Sequence, residues 1–122
     1  MSGSVNKVIL VGNLGDNVKL HYFDENNCIG RFPLATNEVF VRKDTGERVT
    51  QTEWHQVVTR NKMAQLCEKH LNKGDSVYVE GKLKTRKWDD NGTTRYTVEV
   101  QANTIQFLSK NVNSQEPPIE EI

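Results

Sequence analysis

The C-terminal part of the chain reads SVYVEGKLKTRKWDDNGTTRYTVEVQANTIQFL, residues 76–108. Residues 76–88 alternate between apolar and polar side chains and lead into Asn91-Gly92, a pair that favours the type I′ turn of a β-hairpin. Residues 76–88 and 93–108 are therefore predicted to be two long strands joined by a tight turn.

The rest of the chain also has mostly strand character. β-Branched and apolar residues are concentrated in residues 5–14, 28–35 and 52–59, and residues 19–23 form a short extension of the first segment. Pro33 predicts a strand edge or a bulge, because proline cannot donate a ladder hydrogen bond.

One segment has helical periodicity. Its side chains follow the i, i+3, i+4, i+7 and i+8 spacing of a single helix face. The stripe consists of Met63, Leu66, Cys67, His70 and Leu71. Asn61 is predicted to cap the helix and Gly74 to end it.

Five strand regions with one helix between the third and the fourth predict an all-β fold. The small closed Greek-key barrel of the oligonucleotide/oligosaccharide-binding (OB) fold has this order of elements. A β-sandwich is the competing architecture, and the central helix argues against it. Residues 1–110 are assigned to the barrel domain, and residues 111–122 are predicted to be a short, flexible acidic tail.

The composition is that of a small soluble domain. The 122 residues are 26% charged with a mean hydropathy of −0.67, and no stretch approaches the ~18 apolar residues of a membrane-spanning helix. The first residues lack the basic and apolar regions of a secretory signal. The two cysteines are too few for a disulfide scaffold and fit a reducing compartment. A cytoplasmic location is therefore expected.

Neither net charge nor metal-ligand spacing defines a partner. Sixteen basic and sixteen acidic residues cancel, but the run KLKTRK at residues 82–87 holds four bases and no acid. The three histidines and two cysteines lack ligand spacing, and no phosphate-binding loop or catalytic set can be assigned. We expect no cofactor, no metal and no membrane contact.

The strand at residues 76–88 has two different faces. Because side chains alternate along a strand, one face is predicted to be core and the other to meet a ligand. The predicted core face comprises Val77, Val79, Gly81, Leu83 and Thr85. The opposite face comprises Tyr78, Glu80, Lys82, Lys84, Arg86 and Trp88.

Aromatic rings beside bases suit single-stranded nucleic acid, since unpaired bases stack on the rings while Lys and Arg contact phosphates. Trp54, in the segment TEWHQVV, is not at an obvious core position and is a second candidate ring beside Trp88. Two simpler interpretations stay open at this point. The tryptophans are also compatible with a core, and a lysine-rich strand is also compatible with a solvated edge that blocks aggregation.

The chain resembles the bacterial single-stranded-DNA-binding protein (SSB) family in three segments: VNKVILVGNLG at residues 5–15, QTEWHQVV at 51–58 and KGDSVYVEGKLKTRKW at 73–88. DDNGTTRYTVEV at residues 89–100 continues the match, which covers about residues 4–108. The resemblance implies a homotetramer of OB-folds that coats single-stranded DNA without sequence preference. It also implies roles in replication, recombination and repair, a nucleoid-associated location in the bacterial cytoplasm, and no catalysis.

The resemblance further implies roles for single residues. Trp54 and Trp88 match the base-stacking tryptophans of the family, whereas Phe40 and Arg60 stand where a tryptophan and another aromatic residue are common. Phe40 can still stack with a smaller face, and Arg60 can stack by cation–π contact or bind phosphate. The implied phosphate-contacting residues are Lys62, Lys73, Lys82, Lys84, Arg86 and Lys87.

Assembly is expected to involve the first strand. Residues 5–11 are apolar on both faces, which a lone barrel does not require. The candidate contact residues on this segment are Val5, Lys7, Ile9 and Val11. His55 matches a position linked to assembly in the family.

The tail is the segment that departs most from the family. Well-known members use a longer acidic tail to recruit replication and repair proteins, and here only a short acidic-apolar peptide remains. Its candidate contact residues are Glu116, Ile119, Glu120, Glu121 and Ile122. An ordinary polar terminus explains the tail equally well.

Two other functions compete with a coat protein. An OB-barrel nuclease needs several acids to hold a divalent metal, whereas Glu80 is alone among bases on the candidate face. A replication-restart adaptor would act mainly through protein contacts. The row of aromatic and basic residues favours the coat protein over both.

Overall fold

The computed structural model describes residues 3–110, which form six strands and one helix. The strands are β1 (Val8–Leu14), β2 (Lys19–Tyr22), β3 (Cys28–Val41), β4 (Arg48–Arg60), β5 (Ser76–Asp90) and β6 (Thr93–Ser109). The helix α1 (Asn61–His70) lies between β4 and β5. Within these residues no helix is long and apolar enough to cross a membrane.

Five of the strands close into a barrel. Antiparallel ladders join β1 to β5, β5 to β6, β3 to β4 and, over two residue pairs, β1 to β3. A short parallel contact between β4 and β6 completes the ring through the pairs Val57–Val100 and Val58–Gln101. Within residues 3–110, β2 pairs only with β3 and lies at an edge.

The core fills the barrel, and α1 contributes to it. Cys67 and Leu71 of the helix pack into the same cluster of buried residues as the inward-pointing strand residues. Burial raises the pKa of the Cys67 thiol to about 11, so this cysteine stays protonated at neutral pH. The largest fully buried side chains are Phe32, Leu34, Val57, Thr59, Cys67, Val77 and Val79.

The OB-fold prediction is confirmed, but several element bounds differ. β3 and β4 are longer than predicted because they keep pairing beyond the barrel, up to the pair Val41–Arg48. β1 begins at Val8, not at residue 5. Because β2 counts as a separate strand, the helix follows the fourth strand in chain order, not the third. Pro33 lies where β3 passes from pairing with β2 to pairing with β1.

The predicted helix ends are wrong. Asn61 is the first helical residue with a φ of 52°, and its Oδ1 accepts a hydrogen bond from the Cys28 N–H at 2.9 Å instead of capping the helix. The helix ends at His70. Gly74 lies beyond it in a turn with a φ of 93°, and its N–H donates to the Leu14 carbonyl at 2.8 Å.

A bulge interrupts the β5–β6 ladder beside Gly81. Glu80 pairs with Thr104 while Gly81 pairs with Ala102, so β6 contains one extra residue. A Cβ atom at position 81 would overlap the carbonyl of Gln101 and lie 2.9 Å from the Cα of Ala102. Only glycine fits this close approach of two backbones.

Gly81→Ala is expected to lower the free energy of unfolding by about 1–3 kcal/mol, because the added methyl group forces a backbone shift. Urea unfolding measures the change. Gly3→Ala is the control, since nothing lies within 4 Å of a Cβ atom there. Equal unfolding free energies for the two variants would contradict the prediction.

Candidate nucleic-acid interface

Strand alternation gives the barrel one continuous surface across β3, β4, β6 and β5, here termed the outer face. Val57 and Val100 point into the core, so their neighbours along each strand point outward. Ladder pairs such as Lys84–Glu99 then align the outward residues of adjacent strands. The outer face comprises Arg31, Trp54, Gln56, Arg60, Lys82, Lys84, Arg86, Trp88, Thr97, Glu99 and Gln101.

Trp54 is an exposed ring on the β4 part of this face. The residue is 59% exposed, and the ring rests against Gly15, where a Cβ atom would lie 2.7 Å from Cη2. The ring borders an open cavity of about 820 Å³ that Lys73 also lines. Lys73 is held there through its backbone N–H, which donates to Asn17 Oδ1 at 2.7 Å. An aromatic ring and a base therefore share one cavity.

Trp88 is the second exposed ring, on the β5 part of the outer face. Its Nε1–H donates to Thr97 Oγ1 at 2.9 Å, which fixes the orientation of the indole, and the residue is 38% exposed. Neither tryptophan belongs to the core. The interpretation of both rings as core residues is therefore wrong.

Basic side chains surround a small cavity on the same face. The cavity has a volume of about 270 Å³, and Glu99, at 5% exposure, lies within its wall. Glu99 Oε2 lies 3.0 Å from Arg86 Nε and 3.5 Å from Arg31 Nε. The basic residues that line the cavity are Arg31, Arg60, Lys84 and Arg86.

A third cavity, of about 300 Å³, lies next to the basic cavity. Arg31 lines it and also lines the basic cavity. Asn17 lines it and also binds the backbone of Lys73 beside Trp54. The basic cavity and the third cavity therefore adjoin at Arg31, and Asn17 relates the third cavity to Lys73 beside Trp54.

Three predicted contact residues lie off this face. Lys62 is exposed in the first turn of α1. Lys87 pairs with Tyr96 and projects from the opposite face of the β5–β6 hairpin. Phe40, which is 44% exposed, lies on the opposite face of the β3–β4 ribbon from Trp54. Their roles in binding stay predictions.

The outward side of β1 and of the start of β5 extends the barrel surface beyond Lys82. Ile9 and Val11 are each 55% exposed and pair with Glu80 and Tyr78. Lys7 Nζ lies 3.0 Å from Glu80 Oε2, and the Tyr78 hydroxyl donates to Glu80 Oε1 at 2.8 Å. The hydrogen bonds from Lys7 and Tyr78 lower the pKa of Glu80, and the bonds to Glu80 raise the pKa of Lys7 and Tyr78.

The other predicted assembly and partner residues lie elsewhere. Val5, at 89% exposure, precedes β1. His55 pairs with Leu34 on the inward side of β4, and its Nε2 lies 2.9 Å from Thr36 Oγ1. The predicted tail contacts, Glu116, Ile119, Glu120, Glu121 and Ile122, lie outside the described residues.

The sequence pattern misplaced some residues and missed others. Leu83 was expected in the core, yet it is 49% exposed, and Thr85 is also exposed. The β1–β5 ladder ends at the pair Val8–Gly81, so from Lys82 onward β5 has no strand neighbour on its β1 side in the part of the chain that the structure describes. Arg31, Glu99 and Gly15 were not predicted to belong to the site. For Arg31 and Glu99 the one available signal was the alternation of side chains along a strand, which places both on the outward side.

Residues 5–108 match the single-strand binding protein family. The chain belongs to this family. A similar solved structure is a Plasmodium falciparum SSB in complex with ssDNA, with 32% identity and a TM-score of 0.78, covering 89% of this chain and 99% of that one. Another is a deletion mutant of the single-stranded DNA binding protein from Thermus aquaticus, with 28% identity, a TM-score of 0.73 and coverages of 86% and 51%.

Family membership decides the broad class of activity. The chain is a DNA-binding protein with an OB-fold and without enzymatic activity. The nuclease alternative is therefore set aside. The outer face is the surface on which the exposed tryptophans and the basic cavity occur together.

Gly15→Ala is expected to displace the Trp54 ring, because the new methyl group would occupy the space of the ring. In a Trp88→Phe background Trp54 is the sole indole. Its emission spectrum and its quenching by acrylamide should then change while the far-UV circular dichroism stays constant. Gly3→Ala in the same background is the control, and an unchanged Trp54 signal in Gly15→Ala would count against the contact.

Proposed function

We propose that the chain coats single-stranded DNA without sequence preference. The observation that carries the proposal is the outer face, where Trp54 and Trp88 are both exposed and basic side chains line a cavity on the same surface. Unpaired bases stack on aromatic rings, and Lys or Arg follow the phosphates. The P. falciparum relative in complex with ssDNA supports this choice of ligand.

The absence of sequence preference follows from the kind of contacts available. Every base has a π-face, and every nucleotide has the same phosphate, so stacking and phosphate pairing carry no sequence information. A protein that binds in this way protects any exposed single strand. We accordingly assign the chain to replication, recombination and repair, in the cytoplasm.

Recruitment of other proteins is a further part of the proposal. The tail at residues 111–122 contains three acidic residues and no base, so it does not attract DNA. Ile119 and Ile122 provide apolar contacts for replication and repair proteins. If the protein binds DNA weakly and a replication protein strongly, the adaptor function is favoured instead.

Base stacking predicts quenching of tryptophan emission when poly-dT is added. Trp54→Ala and Trp88→Ala should each remove part of this quenching and weaken binding by roughly 1–3 kcal/mol per lost stacked base. Thermal stability should change little, because both rings are exposed, whereas truncating a buried Trp costs about 3–5 kcal/mol. Fluorescence titration and thermal melting measure the two effects.

Phe23→Ala is the matched control for the tryptophan variants. Phe23 is 60% exposed, like Trp54, but lies after β2 and not on the outer face. The Phe23→Ala variant should bind poly-dT with the same affinity as the wild-type protein. Unquenched emission at saturating poly-dT would refute stacking on the two tryptophans.

We also propose a homotetramer. Val8–Leu14 pairs with β5 along one edge but with β3 only at Asn13 and Leu14, so most of its other edge has no strand partner among the described residues. Ile9 and Val11 remain exposed on its outer side. A free strand edge and an apolar face allow two different isologous contacts, which together build a tetramer from two dimers.

Ile9→Glu is expected to reduce the assembled mass, because it places a charge in an apolar contact beside Glu80. Sedimentation equilibrium at micromolar concentration measures the mass. Phe23→Glu, on an exposed residue away from β1, should leave the assembly intact. If the wild-type protein sediments as a monomer at that concentration, the tetramer is refuted.

A further inference from the structure

The basic cavity on the outer face has the composition of an anion site, here termed the arginine pocket. It brings Arg31 of β3, Arg60 of β4 and Lys84 and Arg86 of β5 around Glu99 of β6. Four cations thus face a single carboxylate in a space of about 270 Å³. The charges of the side chains that line the pocket therefore sum to a positive value.

Glu99 accounts for only part of that charge. A single oxygen, Oε2, lies 3.0 Å from Arg86 Nε and 3.5 Å from Arg31 Nε. Arg86 Nε makes a hydrogen bond with this oxygen, whereas Arg31 Nε is buried and makes none. The carboxylate thus holds two guanidinium groups in place but leaves Arg31 with an unused buried donor.

The side chains of Arg60 and Lys84 have no ion pair or hydrogen bond with any residue of the described part of the chain. Both line the same pocket as the Glu99 ion pairs. A guanidinium group with a planar fork of donors matches the oxygens of a phosphate. An incoming phosphate would meet the free cations of Arg60 and Lys84 at this place, together with the exposed part of the Arg31 side chain, which is 39% accessible.

We propose that the arginine pocket binds one backbone phosphate of the single-stranded DNA, with Arg60 and Arg31 as its ligands. The proposal rests on the proposed function, because it assigns a subsite within the same outer face. Arg60 here contacts the DNA backbone and is not a platform for a base. This assignment separates the two roles that the residue type allows, phosphate binding and cation–π stacking.

Substitutions at position 60 distinguish these roles through the salt dependence of binding. The slope of log affinity against log salt changes by about 0.7 per phosphate contact on a single strand. Arg60→Lys keeps the charge and should keep the slope for oligo-dT. The double variant Arg31→Gln plus Arg60→Phe should make the slope shallower by about 0.7, the value for one phosphate. Lys69→Gln, an exposed change at the end of α1, is the control and should leave the slope unchanged.

Three results would refute the proposal that the arginine pocket binds one phosphate. The first is a salt slope in the folded double variant that equals the wild-type slope. The second is a decrease in slope twice as large as the value for one phosphate, which would mean that Arg31 and Arg60 bind separate phosphates. The third is full affinity in Arg60→Phe together with weak binding in Arg60→Lys, as stacking requires. Because Arg60 is exposed, Arg60→Phe alone decides between the roles if the double variant fails to fold. If the wild-type protein fails to bind oligo-dT, the proposed function is refuted as well. If the wild-type protein binds normally and the variants keep the same salt slope, only the phosphate site in the arginine pocket is refuted.

Discussion

The outer face depends on the parallel contact between β4 and β6. β4 belongs to the hairpin with β3, and β6 belongs to the hairpin with β5, so this contact joins the two ribbons on one side of the barrel, while β1 joins them on the other. It consists of only two residue pairs, Val57–Val100 and Val58–Gln101. Because side chains alternate strictly along a strand, the register of these pairs decides which residues of both ribbons face outward. A shift by one residue would move Glu99 and Gln101 into the core.

Local patterns were sufficient to predict the β5–β6 hairpin and the OB-fold. Asn91 and Gly92 have φ values of 53° and 89°, as a type I′ turn requires at both central positions. Cys67 and Leu71 pack into the core as the helical stripe predicted. The same stripe placed Leu66 in the core, where it is 39% exposed, and missed Ala64, which is fully buried. Periodicity locates a helix face only to within the neighbouring positions, and the packing against the barrel decides between them.

The arginine pocket was beyond prediction from the residues alone. Arg31 and Glu99 are distant in the sequence and meet only after the barrel has closed, and no motif signals a contact that closure creates. The sequence did indicate a basic face on residues 82–88, because those residues are consecutive and alternate. Leu83 was misplaced for a related reason. Alternation gives the direction of a side chain but does not show that β5 loses its β1 partner beyond Gly81.

A carboxylate within the proposed DNA-binding face needs a physical reason, because it repels phosphate. Glu99 is 5% exposed, and burying a charge is costly unless ion pairs and hydrogen bonds compensate. Arg31 and Arg86 provide that compensation and are ordered by it in return. Long side chains lose rotational freedom when a ligand immobilises them, so side chains that are already ordered bind at a lower entropic cost. Glu99 thus lowers the positive charge of the pocket by one but organises two guanidinium groups, while Arg60 and Lys84 retain their full charge for the proposed phosphate contact.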